Sequence, residues 1–129
     1  MNVKYKIIIL ILLFSLVLVG CLKESYSMQY GFSGELITET KLESKPDGVY
    51  LEMPFADFSC DSKSFKASLD VSGKNLVLSL SGNETKERCS VKFYADIMGI
   101  KPGDYWLKVI YNKNGESQEV LYQEFNINK

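Results

Sequence analysis

Phe65-Lys66-Ala67-Ser68-Leu69-Asp70-Val71 is the stretch that decides the fold, because apolar and polar side chains alternate in it without a break. A period of two places one set of side chains on a core and the other in solvent, which is typical of a half-buried β-strand. The same period recurs on both sides of this stretch, and no run of ten or more residues has helical spacing. The sequence therefore predicts an all-β domain.

Six further segments show the same alternation. They are residues 32–42, 49–55, 76–80, 89–97, 105–111 and 121–127. Turn sequences separate several of them, namely Pro46-Asp47-Gly48, residues 72–75 and residues 112–115, the last with an Asn-Gly pair typical of a tight hairpin. Pro54 has no N–H group to donate, so its strand is expected at a sheet edge or with a bulge. About seven short strands predict an antiparallel β-sandwich, with a small closed barrel as the alternative.

The N-terminal 20 residues have the three parts of an export signal. Lys4 and Lys6 make a positively charged start, residues 7–19 are almost wholly apolar, and a small residue stands immediately before Cys21. This pattern predicts a cleaved helical signal segment and an extracytoplasmic protein.

Leu18-Val19-Gly20-Cys21 resembles the bacterial lipobox. The resemblance implies a diacylglyceryl group on the Cys21 thiol, cleavage just before this cysteine, and a further acyl chain such as palmitate on the new amino group. Two or three such chains hold a protein firmly to a bilayer, so we expect a lipid anchor on the cell membrane. A short transmembrane span is the alternative, although only 16 uncharged residues separate Lys6 from Lys23, whereas a span needs roughly 20.

Behind this anchor we expect a polar tether over residues 21–30 and one sandwich domain over residues 31–129. The chain has 15 basic and 16 acidic residues, and removal of the leader takes away Lys4 and Lys6 but no acid, which leaves a net charge of about −3. Binding to a phosphate backbone needs a basic surplus, so nucleic acid is not an expected partner.

Ile100-Lys101-Pro102-Gly103-Asp104-Tyr105 resembles the corner before the sixth strand of immunoglobulin-like and fibronectin type III-like domains. In that corner a tyrosine hydroxyl bonds back to the preceding backbone. Carried over, Tyr105 would make this tyrosine corner, and Ile100 would pack beneath it. The resemblance implies an immunoglobulin-like sandwich and does not imply an activity.

Cys60 and Cys89 remain once Cys21 carries lipid. An even number of cysteines in an exported domain favours one disulfide, which would stabilise the domain by about 3–4 kcal/mol through loop entropy. Two free thiols, a metal pair and a redox couple are the alternatives. A metal pair lacks further soft ligands because the chain has no histidine, and the 28-residue gap is unlike a C-x-x-C couple.

The other chemistry-bearing residues favour simple roles. Asp57 and Asp61 lie near Ser59 and Ser62, but their spacing does not match a calcium loop, and solvated acids are the better interpretation. A Ser-Lys pair within residues 62–66 is formally available, yet no G-x-S-x-G sequence and no histidine activate a serine. We therefore predict no catalytic residue, no metal and no cofactor, and we do not expect an enzyme.

Trp106 and Ile110 have the opposite phase from the apolar Tyr105 set, so they are expected on an outer sheet face beside Tyr94. Such an aromatic patch suits a sugar or a partner protein. The alternatives are that the phase is reversed, so that these side chains face the core, or that the tether covers the patch. Asn83-Glu84-Thr85 matches an N-glycosylation sequon, for which chance occurrence is the default.

The expected function is that of a non-catalytic binding module for an envelope protein, a peptide or a glycan. A structural or accessory subunit, or an assembly factor, of an envelope complex is the alternative.

Overall fold

The computed structural model describes residues 25–128, and this part of the chain is all-β apart from one turn of 3-10 helix. The strands are β1 Ser27–Ser33, β2 Lys41–Lys45, β3 Gly48–Phe58, β4 Lys66–Ser72, β5 Asn75–Ser81, β6 Cys89–Met98, β7 Gly103–Lys113 and β8 Glu116–Ile127, with the 3-10 turn at Ser62–Ser64. The predicted signal segment and lipidated Cys21 lie outside the described residues.

The strands form two four-stranded sheets, in the orders β1-β6-β3-β2 and β4-β5-β7-β8. All neighbours are antiparallel except β5 and β7, which run parallel. β6 follows β5 in the chain and runs back through the other sheet to the end of the sandwich at which β5 began. β7 therefore starts at that same end and runs parallel to β5. The predicted all-β sandwich is confirmed, but it has eight strands rather than seven, and the expected fully antiparallel arrangement is wrong at this pair.

The N-terminal segment of the domain differs from the prediction. The expected strand over residues 32–42 is divided, because β1 ends at Ser33 and β2 begins only at Lys41, with Leu36 between them 79% exposed. The expected tether over residues 21–30 is too long, since β1 already begins at Ser27.

Two neighbouring features of β3 explain how Pro54 fits in a central strand. β2 pairs with β3 only as far as Glu52, so Pro54 lies beyond the end of β2 and needs no partner on that side. A register shift against β6 follows between Phe55 and Phe58. The prediction of a bulge near Pro54 is therefore confirmed.

The predicted turns are two-residue hairpin connections at residues 46–47, 73–74 and 114–115. Asn114 and Gly115 have φ values of 52° and 78°, and positive φ at both positions is what a type I′ turn requires. The turn at 114–115 therefore matches the right-handed twist of the two strands that it joins.

The core lies between the two sheets and contains the side chains that the alternation predicts to face inward. Its largest fully buried apolar side chains are Phe58, Phe93, Leu51, Leu76, Leu78, Leu80, Ile97, Leu107, Ile127, Val49 and Val109. An aromatic cluster fills one end, where the Phe58 ring lies 4.6 Å from Phe65 and 4.7 Å from Tyr111 between centroids. This cluster lies beneath the loops that the disulfide joins.

The sandwich has two ends, which we name by what they carry. The N-terminal pole is where the chain enters β1, together with the turns at 46–47 and 73–74 and the loop at 99–102. The disulfide pole carries the loops at 34–40, 59–65 and 82–88 and the hairpin turn at 114–115.

Candidate functional site

The Tyr105 corner holds the N-terminal pole together. The Tyr105 hydroxyl donates to the carbonyl oxygen of Lys101 at 2.7 Å, and Ile100 is buried beside it. The Ile100 N–H donates to the carbonyl oxygen of Asp47 at 2.9 Å, and the Lys74 ammonium lies 4.7 Å from the Tyr105 ring centroid. These contacts tie three connections to one buried ring, so the corner has a structural role.

At the opposite end, Cys60 and Cys89 form the predicted disulfide, with their Cα atoms 5.1 Å apart. Hydrogen bonds join the same two loops: the Cys60 N–H donates to the Thr85 hydroxyl at 3.0 Å, and the fully buried Ser59 hydroxyl donates to the carbonyl oxygen of Asn83. The disulfide is confirmed, and the loops that it joins are also held without it.

A charged cluster beside the disulfide was not predicted. The Arg88 Nε donates to Asp57 Oδ1 at 2.8 Å, and its Nη1 donates to Glu84 Oε2 at 2.5 Å. The Tyr111 hydroxyl donates to the other oxygen of Glu84 at 2.8 Å, and Lys113 Nζ lies 3.6 Å from Asp57 Oδ2. Each charge in this cluster faces an opposite charge or a hydroxyl.

The electrostatics follow from these contacts. The hydrogen bond from Arg88 holds the pKa of the Asp57 carboxyl below its usual range. The bond from Tyr111, with that from Arg88, does the same for the pKa of Glu84, while burial and then the bond to Glu84 raise the pKa of Tyr111. The Asp57 and Glu84 carboxylates are therefore ionised at neutral pH, the Tyr111 hydroxyl keeps its proton, and the hydrogen bonds of the cluster are made among its own members.

Asp57, Asp61 and Ser64, which the sequence analysis considered for metal binding or catalysis, form hydrogen bonds or ion pairs within the chain. Asp57 pairs with cations of the chain, and Asp61 accepts a 3.4 Å hydrogen bond from the Asn83 amide. The Ser64 hydroxyl donates to the Asp61 carbonyl oxygen at 2.7 Å and accepts the Asn83 N–H at 2.7 Å. Within residues 25–128, no group of three or more His, Cys, Asp or Glu side chains is placed to hold a metal ion.

A shallow apolar cleft of about 210 Å³ lies beside the disulfide. Phe32, Phe65 and Val91 line it together with the two cysteines and several small polar residues. The cleft has room for a side chain, and the described residues that line it include no charged side chain.

The outer face of the second sheet carries exposed aromatic surface. Trp106 on β7 is 38% exposed and Tyr122 on β8 is 53% exposed, and their rings stack with centroids 4.8 Å apart at 14°. Ile110 lies two positions beyond Lys108 on the same face, and Lys108 Nζ is 5.6 Å from the Tyr122 ring centroid and 3.7 Å from Glu119. We call these five residues the Trp106 patch.

Strand register explains this arrangement. Trp106 pairs with Glu124 and Lys108 pairs with Tyr122, so Trp106 and Tyr122 are diagonal neighbours on one face. Outward placement of Trp106 follows from the alternation of β7. Tyr122 was not predicted, because its place beside Trp106 depends on the β7–β8 register.

Tyr94 lies elsewhere. It belongs to β6 in the first sheet and covers Gly31 of β1, where a Cβ atom would lie 2.2 Å from the Tyr94 hydroxyl oxygen. An aromatic ring over a glycine in a neighbouring strand stabilises a sheet edge. The structure therefore does not bring Tyr94 to Trp106 and Ile110, and the expected three-residue patch is wrong in that member.

The outer face of the first sheet is occupied by internal polar contacts. Lys45 Nζ pairs with Asp96 at 2.9 Å, and the Tyr50 hydroxyl donates to Glu52 at 2.6 Å. The bond to Glu52 and burial raise the pKa of Tyr50 to about 12. This face carries paired charges together with Tyr94, which is 38% exposed but has no stacked aromatic partner among the described residues.

Comparisons with protein-family models, with curated proteins and with solved structures found no match to this chain. In residues 25–128 there is no helix whose length and apolar character would let it cross a bilayer.

Proposed function

We propose that this chain is a lipid-anchored extracytoplasmic protein whose sandwich binds another envelope protein through the Trp106 patch. The anchor part rests on the lipobox-like sequence ending at Cys21. The binding part rests on one observation, the stacked and exposed Trp106–Tyr122 pair on the second sheet.

The chemistry of the patch suits a protein partner. Tryptophan and tyrosine are the side chains that most often dominate protein interfaces, because each covers a large apolar area at little cost in conformational entropy. Ile110 extends the apolar area. The rim has two acids, Glu119 and Glu124, against one cation, Lys108, which pairs with Glu119. A partner with a complementary apolar centre and a basic rim is therefore expected.

Site-specific photocrosslinking in cells tests the binding part. A photoreactive phenylalanine analogue at position 122 should give a crosslinked species of defined mass, and Trp106→Ala should abolish that species. The same analogue at position 94 is the matched control, since Tyr94 is a partly exposed tyrosine on the other sheet. Equal products from both positions, or a product that survives Trp106→Ala, would contradict the proposal.

The same experiment distinguishes the other partner classes. A heterogeneous product that a glycosidase collapses would show a glycan at the patch. A product recovered with the chain in fixed stoichiometry after purification would favour the alternative role, a permanent subunit of an envelope complex.

The anchor has its own test by mass spectrometry of the natural protein. The expected product begins at Cys21 and carries the mass of its acyl chains, and Cys21→Ser should leave unlipidated precursor. A natural protein that retained residues 1–20 and an unmodified Cys21 would overturn the anchor.

Kinship with immunoglobulin-like domains is a further part of the proposal. The hydrogen bond from the Tyr105 hydroxyl to the Lys101 carbonyl oxygen supports this kinship. The parallel β5–β7 pair does not support it.

A further inference from the structure

The position at which the chain enters the domain is fixed by packing. Ser25 and Tyr26 cross directly over Gly99, where a Cβ atom would lie 2.5 Å from the Ser25 carbonyl oxygen and 3.1 Å from Tyr26 Cα. Gly99 has φ 82°, which a glycine adopts freely. The Tyr26 hydroxyl donates to the carbonyl oxygen of Leu69 at 3.2 Å, which connects the entry to β4 in the other sheet.

The link between the proposed lipid and this entry is short. Residues 22–24 are all that separate Cys21 from Ser25. A fully extended chain spans roughly 3.3–3.6 Å per residue, so the two Cα atoms are at most about 14 Å apart. The entry therefore cannot move far from the bilayer surface once Cys21 is acylated.

We infer that the N-terminal pole faces the lipid headgroups and that the disulfide pole points away from the membrane. This orientation rests on the proposed lipidation of Cys21. The sandwich would stand on the bilayer, with the turns at 46–47 and 73–74 and the loop at 99–102 nearest to it.

The connection, rather than charge, sets this orientation. The basic residues at the N-terminal pole alternate with acidic ones: Lys45, Lys74 and Lys101 lie among Asp47, Asp96 and Asp104. A polybasic surface would hold to anionic lipid and release at high salt. A balanced pole held by a short link should keep its orientation at any salt concentration and on neutral lipid.

Heights above the membrane follow from strand geometry. β7 starts at the N-terminal pole with Gly103, and each residue advances about 3.3 Å, so Trp106 lies about 10 Å from that pole and the end of β7 about 33 Å. Tyr122 and Glu119 pair with Lys108 and Ile110, which places them between these heights. The Trp106 patch would therefore be a side face that extends from about 10 Å to about 23 Å above the N-terminal pole, across the middle of the sandwich.

Energy transfer from tryptophan to a dansyl-labelled headgroup measures this height. Trp106 is the single tryptophan of the chain. The lipidated full-length protein is reconstituted in phosphatidylcholine vesicles that contain a small fraction of dansyl-phosphatidylethanolamine. A second protein, Trp106→Phe with Lys86→Trp, places the single tryptophan at an exposed position of the disulfide pole.

Given the heights above, we expect the rate of energy transfer to the dansyl groups to be at least roughly ten times higher from Trp106 than from a tryptophan at position 86. It should be unchanged by salt. Equal transfer from both positions, or faster transfer from position 86, would overturn the orientation. A protein that does not float with the vesicles would overturn the anchor and the orientation with it, so the two failures are distinguishable.

A third protein keeps the test independent of substitutions in the domain. Ten Gly and Ser residues inserted between Glu24 and Ser25 leave the sandwich intact and lengthen the link. Transfer from Trp106 should then fall because the domain can move away from the surface. Transfer that stays as high as in the original protein would mean that a surface other than this connection holds the domain, and would overturn the inference.

Discussion

Replacing both Cys60 and Cys89 by alanine removes a crosslink between residues 29 positions apart. The crosslink restricts the unfolded chain, and for a loop of that length the chain-entropy relation gives a loss of about 3.6 kcal/mol. This corresponds to a roughly 400-fold fall in the folding equilibrium constant. The Cys60 N–H bond to Thr85 and the buried Ser59 remain, so the folded state should keep its loops.

The effect should appear mainly in the folding rate. Cys89 pairs with Phe58 at the ends of β6 and β3, and the residues between them include both β4 and β5. An unlinked chain must bring β3 and β6 together around this whole hairpin, which costs the loop entropy that the disulfide has already removed. If the β3–β6 pairing forms in the transition state, the double variant folds more slowly and unfolds at nearly the original rate.

Urea unfolding followed by Trp106 fluorescence measures the change. The protein begins at residue 21 with Cys21→Ser, so that it is free of lipid and of a third thiol. Reductant should lower the stability of the unsubstituted domain by the same amount and should not affect the double variant. A loss below about 1 kcal/mol at unchanged m-value would refute the entropic reasoning, because it would mean that the loops stay together in the unfolded chain.

Three further outcomes can be measured on the same lipid-free domain. Tyr105→Phe removes the hydrogen bond to the Lys101 carbonyl and should lower the free energy of unfolding in urea by about 1 kcal/mol. An unchanged free energy of unfolding would show that this bond does not stabilise the domain. Asp57 and Glu84 have pKa values lowered by folding, so their contribution is full above the ordinary carboxyl range near pH 4 and is lost as pH falls through the lowered values. The melting temperature should therefore fall steeply below about pH 4, and less steeply in a variant with Asn and Gln at these positions. Gly48→Ala places a Cβ 1.8 Å from a β6 carbonyl oxygen and should cost more than about 2 kcal/mol, and an unchanged melting temperature would contradict that contact.

The strands that the sequence predicts well are those whose inner face is wholly apolar. β4 and β7 alternate cleanly because one face of each meets the core and the other meets water. The first part of β1 was interpreted as tether because its alternation is short and follows a polar segment. Met28 and Tyr30 do alternate there, but β1 is an edge strand and Tyr30 is still 41% exposed. The parallel β5–β7 pair depends on which sheet receives β6, and no local pattern records that choice.

The candidate site likewise has features that the local sequence predicts and features that depend on residues far apart in the chain. The outward phase of Trp106 is a local property and is predictable from β7 alone. Its stacking on Tyr122 depends on the β7–β8 register, which local alternation does not give. The cluster of Arg88 with Asp57 and Tyr111 joins residues 31 and 23 positions apart, and nothing in their local sequence distinguishes them from other surface charges.

The edges of the two sheets bear on how a partner can approach. β8 is an edge strand of twelve residues, and its free side would attract other strands if it were flat and apolar. It carries Glu116, Glu119 and Glu124, and a register shift beside Val109 bends it, both of which oppose strand addition. At the other sheet β2 is only five residues long and carries Lys41. With these two edges protected in this way, the exposed face at the Trp106 patch is a better surface for a partner than either of them. If the N-terminal pole stands on the bilayer as we infer, that face is presented sideways at a height of about 10–25 Å. The partner best suited to reach it is then a protein that is itself held at the same membrane.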